Sequence, residues 1–358
     1  MTVAELRTHV VAAPLHTPFV TAVRSTEVVE SVLVQAVDGD GRSGWGEGVS
    51  TWRITGDSIA GIEAAVSGPL RDVVVGRDVD DLDALLRDVG SAIVGNTAAK
   101  AAVDGALHDL AAVRLGIPLP RLLGSAALDL PTDITLAADS PTAMATAAKA
   151  RRGDGFDVLK IKVGDGGADD VTRVHAIRES AGKQAILRLD ANQGWSPREA
   201  VRIIGTLEDA GLDIELVEQP VRAGDLDGLA FVTAHVQTPI LADEAVSSAR
   251  DLLEITRRRA ADMVNIKLAK CGGLRAGRAL LAVAEAAGVD VLIGSMMETH
   301  VGVGAAASLA AISGSPLVHD LDAAWWLRRS PVEGGPRYEQ ARLRFAAAPG
   351  LGISGLAP

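Results

Sequence analysis

The hydrophobic positions fall into two successive rhythms. Near the N-terminus, residues 3–12, 28–37 and 42–49 have the alternating, β-branched character of strands. Asp38-Gly39-Asp40-Gly41 is turn chemistry that folds the last two into a hairpin. From about Gly56 to Leu115 the period lengthens. Ala99, Val103, Ala106, Leu107 and Leu110 recur at helical spacing, and Gly116-Ile117-Pro118 stops that helix. After about residue 125, short apolar runs that each end in a polar residue alternate with helical segments. Eight such runs occupy 134–136, 158–162, 186–190, 214–218, 240–243, 263–267, 291–295 and 317–320. Their polar ends are 28 residues apart from 162 to 190 and from 190 to 218, then 25 to 243 and 24 to 267. One βα unit of a barrel takes about that length, since ~250 residues divided by eight is ~30. The pattern predicts an α/β fold: a (β/α)7-8 TIM-type barrel over residues 126–327, preceded by an α+β domain over 1–125. Residues 328–358 exceed what eight units need and are expected to return to the N-terminal domain.

Composition narrows the picture. Of 358 residues, 48% are hydrophobic and 23% charged, which supports a sizeable core and argues against disorder. Aromatics are only 3%, so the apolar load is Ala, Val, Leu and Ile, as buried parallel strands require. The net charge is −11, and the Arg runs (Arg151–Arg152, Arg257–Arg259, Arg328–Arg329) are short, which disfavours a nucleic-acid partner. An anionic substrate would need local positive charge against that global field. The single cysteine, Cys271, excludes an intrachain disulfide and suits a cytoplasmic location. The first residues lack a basic segment followed by an apolar run, so no secretory leader is expected. The longest apolar stretch, 301–314, is too short to span a bilayer. The expectation is a protein acting on a small molecule, without a membrane or nucleic-acid partner and free to form a homo-oligomer.

In a parallel barrel the C-terminal strand ends converge on one face, where active sites lie. That places Lys160 and Lys162 on strand two. Asp190, Glu218 and Asp243 follow on strands three, four and five, and Lys267 on strand six. Three convergent carboxylates repel one another unless a cation sits among them. Hard oxygen donors with room for water and substrate suit Mg2+, and the lack of His or Cys at these positions argues against zinc. Lys160 and Lys162, at i and i+2, point to one side of their strand, and held close they should lower each other's pKa. Two lysines on opposite faces of a metal-bound carboxylate suit removal and return of the proton α to it, giving racemisation or epimerisation. Elimination or cycloisomerisation through the same enediolate stays open.

These residues carry a resemblance. Lys160-Ile161-Lys162, Leu189-Asp190-Ala191-Asn192, Val217-Glu218-Gln219-Pro220, Ala242-Asp243-Glu244 and Asn265-Ile266-Lys267 running on to Gly273 resemble the enolase superfamily, in its muconate-lactonising-enzyme-like subgroup. Trp45-Gly46-Glu47-Gly48 extends the likeness into the N-terminal, capping domain. The resemblance implies that Asp190, Glu218 and Asp243 bind Mg2+ and that Lys162 and Lys267 are the two bases. Lys160 would tune Lys162 and contact the substrate carboxylate. Asp320-Leu321-Asp322 resembles the mark of dipeptide epimerases, where it holds the free α-ammonium; two acids at i and i+2 do need a cation. Arg24 lies in a segment, 18–26, similar to a mobile capping loop, and is matched to an arginine that pairs with a glutamate side chain. Thr135, Ser295 and Met297 would line the pocket, Glu298 would orient Lys267 or be solvated, and His300 and Cys271 read as structural. The function implied is a dipeptide epimerase, L-Ala-D/L-Glu being the leading substrate, with a role in cell-wall peptide metabolism. An o-succinylbenzoate synthase or N-acylamino acid racemase, a muconate-type cycloisomerase, and a non-catalytic binding protein are the alternatives.

Overall fold

The computed structural model describes residues 1–20, 25–164 and 168–358. Strands β1 (Val3–Val20), β2 (Ser25–Asp38) and β3 (Ser43–Val49) form an antiparallel sheet in that order. β1 runs past the expected end at residue 12. Pro14 and Pro18 read as strand breakers, yet the pairing with β2 resumes after a register shift between Pro14 and Phe19. The β2–β3 hairpin closes on Asp38, whose Oδ1 accepts the N–H groups of Asp40 and Arg42, each at 2.9 Å.

The long helix Thr97–Leu115 lies on β3. Gly44, Gly46 and Gly48 alternate along that strand and so share one face. A Cβ on Gly44 or Gly46 would fall inside the helix backbone near Leu110, Ala106 and Ala102. The glycines are therefore what lets the helix approach. The alternate residue Glu47 points the other way, toward the barrel. The helix ends at Gly116, which has φ 71°, in the left-handed region that glycine adopts without penalty.

β4 (Asp129–Pro131) precedes the parallel strands β5 (Ile134–Leu136), β6 (Val158–Lys162), β7 (Ile186–Asp190), β8 (Ile214–Glu218), β9 (Ile240–Ala242), β10 (Met263–Lys267) and β11 (Asp290–Gly294). They pair in consecutive order into one curled sheet. The eighth expected run is not a strand. Residues 317–320 contribute only the parallel bridges Gly294↔Asp320 and Thr132↔His319, which close the gap between β11 and β5. Pro316 offers no donor at the start of that run, and at its end the chain turns into the 3-10 helix Ala323–Trp326. β12 (Val332–Gly334) pairs with β15 (Ile353–Leu356), while β13 (Arg337–Glu339), β14 (Arg342–Arg344) and β4 make a small antiparallel sheet. The tail also meets the N-terminal region. Arg328 N–H donates to Pro14 O, and Leu119 N–H to Gly350 O, both at 2.9 Å.

Two carboxylates fasten the N-terminal domain to the barrel. Asp104 accepts from Leu274 N–H at 2.6 Å and Arg275 N–H at 3.2 Å, capping the helix Leu274–Ala287. Glu47 accepts from Thr299 N–H at 2.9 Å, Thr299 Oγ1 at 2.5 Å and Gly302 N–H at 2.8 Å, at the start of the helix His300–Ala310. Orphan N–H groups and the positive helix end favour a carboxylate there. These helices follow β10 and β11, so the caps brace the strand ends that bear Lys267 and Ser295.

Gly46→Ala should cost about 3 kcal/mol or more, because backbone rather than a yielding side chain is in the way. Gly39→Ala, whose Cβ would meet only Met1 Sδ at 3.5 Å, is the control. A urea midpoint that drops for Gly46→Ala and holds for Gly39→Ala is the expected result; equal midpoints contradict the packing argument.

Candidate active site

β6 and β10 are the second and sixth of eight positions around the barrel, so their ends lie across the mouth from each other. Lys162 ends β6 and Lys267 ends β10. One arc between them carries Asp190 at the end of β7, Glu218 at the end of β8 and Asp243 just after β9. The other arc carries Ser295 after β11, Asp320 and Asp322 at the eighth position, and Thr135 on β5. Register explains the neighbours: Lys162 pairs with Asp190, and Asp190 with Glu218, across adjacent strands. Lys267 pairs with Gly294, where a Cβ would come within 2.9 Å of Lys267 Cε. That glycine leaves the lysine its room.

The charged groups are buried and interlocked. Lys160 Nζ lies 2.7 Å from Asp320 Oδ2, 2.7 Å from Glu218 Oε2 and 3.2 Å from Asp190 Oδ2. Lys162 Nζ donates to Asp190 Oδ2 at 2.6 Å, and Lys267 Nζ to Asp243 Oδ2 at 2.7 Å. A pocket over them is lined by Thr135, Ser295, Met297, Asp320, Asp322 and, from the N-terminal domain, Phe19 and Ile54. Arg24 lies outside the described residues.

Two expectations need correction. First, Lys160 is not lowered. Burial lowers the pKa of Lys160, but Asp320, Glu218 and Asp190 outweigh it and hold that ammonium well above the ordinary range. Lys267 is likewise raised, with Asp243 opposing burial. Among the described residues, Asp133, Asp320 and Asp322 bring carboxylate oxygens within 4.8 Å of one another. The strand-end acids pair with ammonium groups, Asp190 and Glu218 with Lys160 and Asp243 with Lys267. Second, Glu298 is not solvated. It is buried, and burial followed by Glu47 pushes its carboxyl up to about 8.

The donor set still fits a hard divalent ion. It is three buried carboxylates on consecutive strand ends, oxygen only. Burial, then Asp190, push Glu218 up to about 8, while Lys162 and Lys160 hold Asp190 low and Lys267 and Lys270 hold Asp243 low against burial. Asp322 is pushed up to about 6 by burial and then by Asp320. Among the described residues its Oδ2 accepts from neutral donors, Thr135 N–H at 2.7 Å and Trp326 Nε1–H at 3.0 Å.

Some residues within the motifs gain roles that sequence reasoning did not assign. Asn265, two before Lys267 and on the same face, donates from Nδ2 to Glu218 Oε1 at 3.0 Å. Lys270, one turn after Lys267, donates to Asp243 Oδ1 at 2.5 Å and to the Asp243 carbonyl. Gln219, at φ 35°, accepts from Asp243 N–H at 2.9 Å and Ala245 N–H at 3.1 Å, fixing the turn after β9. Strand and helix periodicity was the available signal for the first two; nothing in the sequence announced the third. His300 and Cys271 are placed away from the pocket lining.

Comparison with known proteins agrees with this layout. Residues 3–124 match the mandelate racemase / muconate lactonizing enzyme N-terminal domain, and residues 143–355 the enolase C-terminal domain-like family. The chain is 44% identical over 358 residues to the L-Ala-D/L-Glu epimerase of Bacillus subtilis strain 168, covering 100% of this chain and 98% of the relative. It superposes on a substrate-liganded structure of that Bacillus subtilis enzyme with a TM-score of 0.97, covering 100% of both chains. The Enterococcus faecalis V583 dipeptide epimerase, solved with Mg and L-Leu-L-Tyr, gives a TM-score of 0.94 at 39% identity, over 99% of this chain and 100% of that one. An N-succinyl-L-Arg/Lys racemase from Bacillus cereus is 30% identical over 99% of this chain and 95% of its own length. These relatives are epimerases and racemases matched over nearly their whole length, and the chain belongs to the mandelate racemase / muconate lactonizing enzyme family of the enolase superfamily.

Proposed function

We propose that this protein is a Mg2+-dependent dipeptide epimerase that inverts the α-carbon of the C-terminal residue by proton transfer between two lysines. The observation that carries the reading is the position of Lys162 and Lys267 across the barrel mouth, with carboxylates on one arc between them and the Asp320–Asp322 pair on the other. Asp190, Glu218 and Asp243 would hold the ion, which when bound would neutralise charge on the substrate carboxylate as the α-proton leaves. Lys162 and Lys267, at opposite sides of the mouth, turn to the substrate. One, as the neutral amine, takes the α-proton and becomes an ammonium; the other, already an ammonium, delivers its proton to the opposite face and becomes the amine. Lys160, locked by Asp320, Glu218 and Asp190, stays cationic and binds the substrate carboxylate.

Asp320 and Asp322 receive the free α-ammonium. The dipeptide then spans the mouth from acid arc to acid arc, which sets its α-carbon between the lysines. Phe19 and Ile54 close over it from the N-terminal domain. L-Ala-D/L-Glu is the substrate we assign first, on the strength of the Bacillus subtilis relative. Arg24 is the cation we assign to the glutamate side chain, on its likeness to the capping-loop arginine of alanyl-glutamate epimerases. The setting is cytoplasmic turnover of cell-wall peptides. No helix among the described residues is long and apolar enough to cross a membrane, and the lone cysteine suits a reducing compartment.

In D2O with Mg2+, L-Ala-L-Glu should gain one mass unit at the Glu α-carbon while its D epimer appears in the NMR spectrum. EDTA should abolish both, and added Mg2+ restore them. No exchange with any dipeptide would remove the function. Asp322→Asn should lower kcat/KM on dipeptides by roughly 100-fold, about 3 kcal/mol for a buried charged contact. Unchanged activity would point instead to a substrate without an ammonium group, as in the synthase and N-acylamino acid racemase readings.

A further inference from the structure

Beneath the Asp320–Asp322 pair lies a third carboxylate that the mechanism does not use. Asp133 is completely buried and does not line the pocket. It precedes Thr135 by two residues, so it lies on the same inward side of that strand, one layer down. Its oxygens come within 4.8 Å of those of Asp320 and Asp322.

The partners of these acids do not balance them. Arg188 Nη1 reaches Asp133 Oδ2 at 3.3 Å, but it also donates to the Val318 carbonyl at 2.6 Å, and Arg188 Nε is held by Glu215 at 2.5 Å. The guanidinium is thus shared with a second carboxylate. Asp133 Oδ1 has no donor among the described residues. Lys160 is divided between Asp320, Glu218 and Asp190, and the donors to Asp322 among the described residues are neutral. Burial, then Asp320, push the Asp133 carboxyl well above its usual range against the pull of Arg188 and Lys160. Arg188 would still have Glu215 and the Val318 carbonyl without Asp133. A third acid at this point is unfavourable for folding alone. It becomes favourable once a cation arrives at the two acids above it.

We propose that Asp133 is a positioning residue for substrate recognition: from below the pocket its charge reinforces Asp320 and Asp322 in holding the substrate ammonium. The inference rests on the dipeptide reading. It implies that the protein keeps an excess of buried negative charge in order to select substrates with a free amino terminus.

The test is Asp133→Asn, which preserves shape and an oxygen for Arg188, with Asp133→Ser as a second variant that admits water. Both are assayed on L-Ala-L-Glu with Mg2+ and melted beside the wild type. KM should rise about tenfold or more, the equivalent of one pKa unit of charge interaction, while kcat stays within about threefold. The melting temperature of Asp133→Asn should equal or exceed that of the wild type. An unchanged KM overturns the inference, as does a variant that melts lower or fails to fold, since Asp133 would then be a structural partner of Arg188. A wild type that exchanges no dipeptide removes the functional reading and the inference together, which separates that failure from a wild type that works beside a variant with unaltered KM.

Discussion

Charge balance in a dry barrel mouth governs this structure. Asp133, Asp190, Glu218, Asp243, Asp320 and Asp322 are almost fully withdrawn from water, and Lys160, Lys162, Lys267 and Lys270 are packed among them. Ionised groups cannot be buried in this way unless each finds a counter-charge. The lysines serve as those counter-charges: Asp190, Glu218 and Asp243 each lie against at least one ammonium group. Glu218 on one side and Asp322 on the other are held above the ordinary carboxylate range by burial and by neighbouring acids. In the function proposed above, a divalent ion would stabilise the first as a carboxylate and a substrate ammonium the second, and the lysines would then be free to exchange protons.

The scaffold keeps these charges in place. Alternation along β3 turns Gly44, Gly46 and Gly48 to the helix Thr97–Leu115 and Glu47 to the barrel, so one short strand both builds the N-terminal core and docks it. Asp104 acts in the same way from the helix. Because the two capped barrel helices follow the strands ending in Lys267 and Gly294, the positions of a base and of the pocket wall depend on interdomain hydrogen bonds as well as on the barrel.

The barrel was legible because its strands are buried on both faces and its repeat length is regular. The polar residue closing each apolar run marked the catalytic face. The long-period features were harder. The sequence pattern ends β1 at residue 12 because Pro14 and Pro18 mask a strand that tolerates them, and it predicts an eighth strand where two bridges suffice to close the sheet. Electrostatics was the least legible. Adjacent lysines suggested mutual repulsion, but the acids that decide the matter come from β7, β8 and the eighth position. Only the fold brings them to Lys160. Asp133 escaped notice for the same reason: its partners Arg188, Asp320 and Asp322 are remote in sequence.

The central claim is that the α-carbon lies between two lysine side chains on opposite sides, one the amine that takes the proton and the other the ammonium that returns one. Stereospecific exchange in D2O tests it most directly, using Lys162→Ala and Lys267→Ala, each with L-Ala-L-Glu and L-Ala-D-Glu. Each variant should fail to epimerise yet still exchange the α-proton of one epimer, and the two variants should retain opposite epimers. If both variants exchange the same epimer, or if one alone still interconverts the two, the lysines do not face each other across the substrate and the account fails.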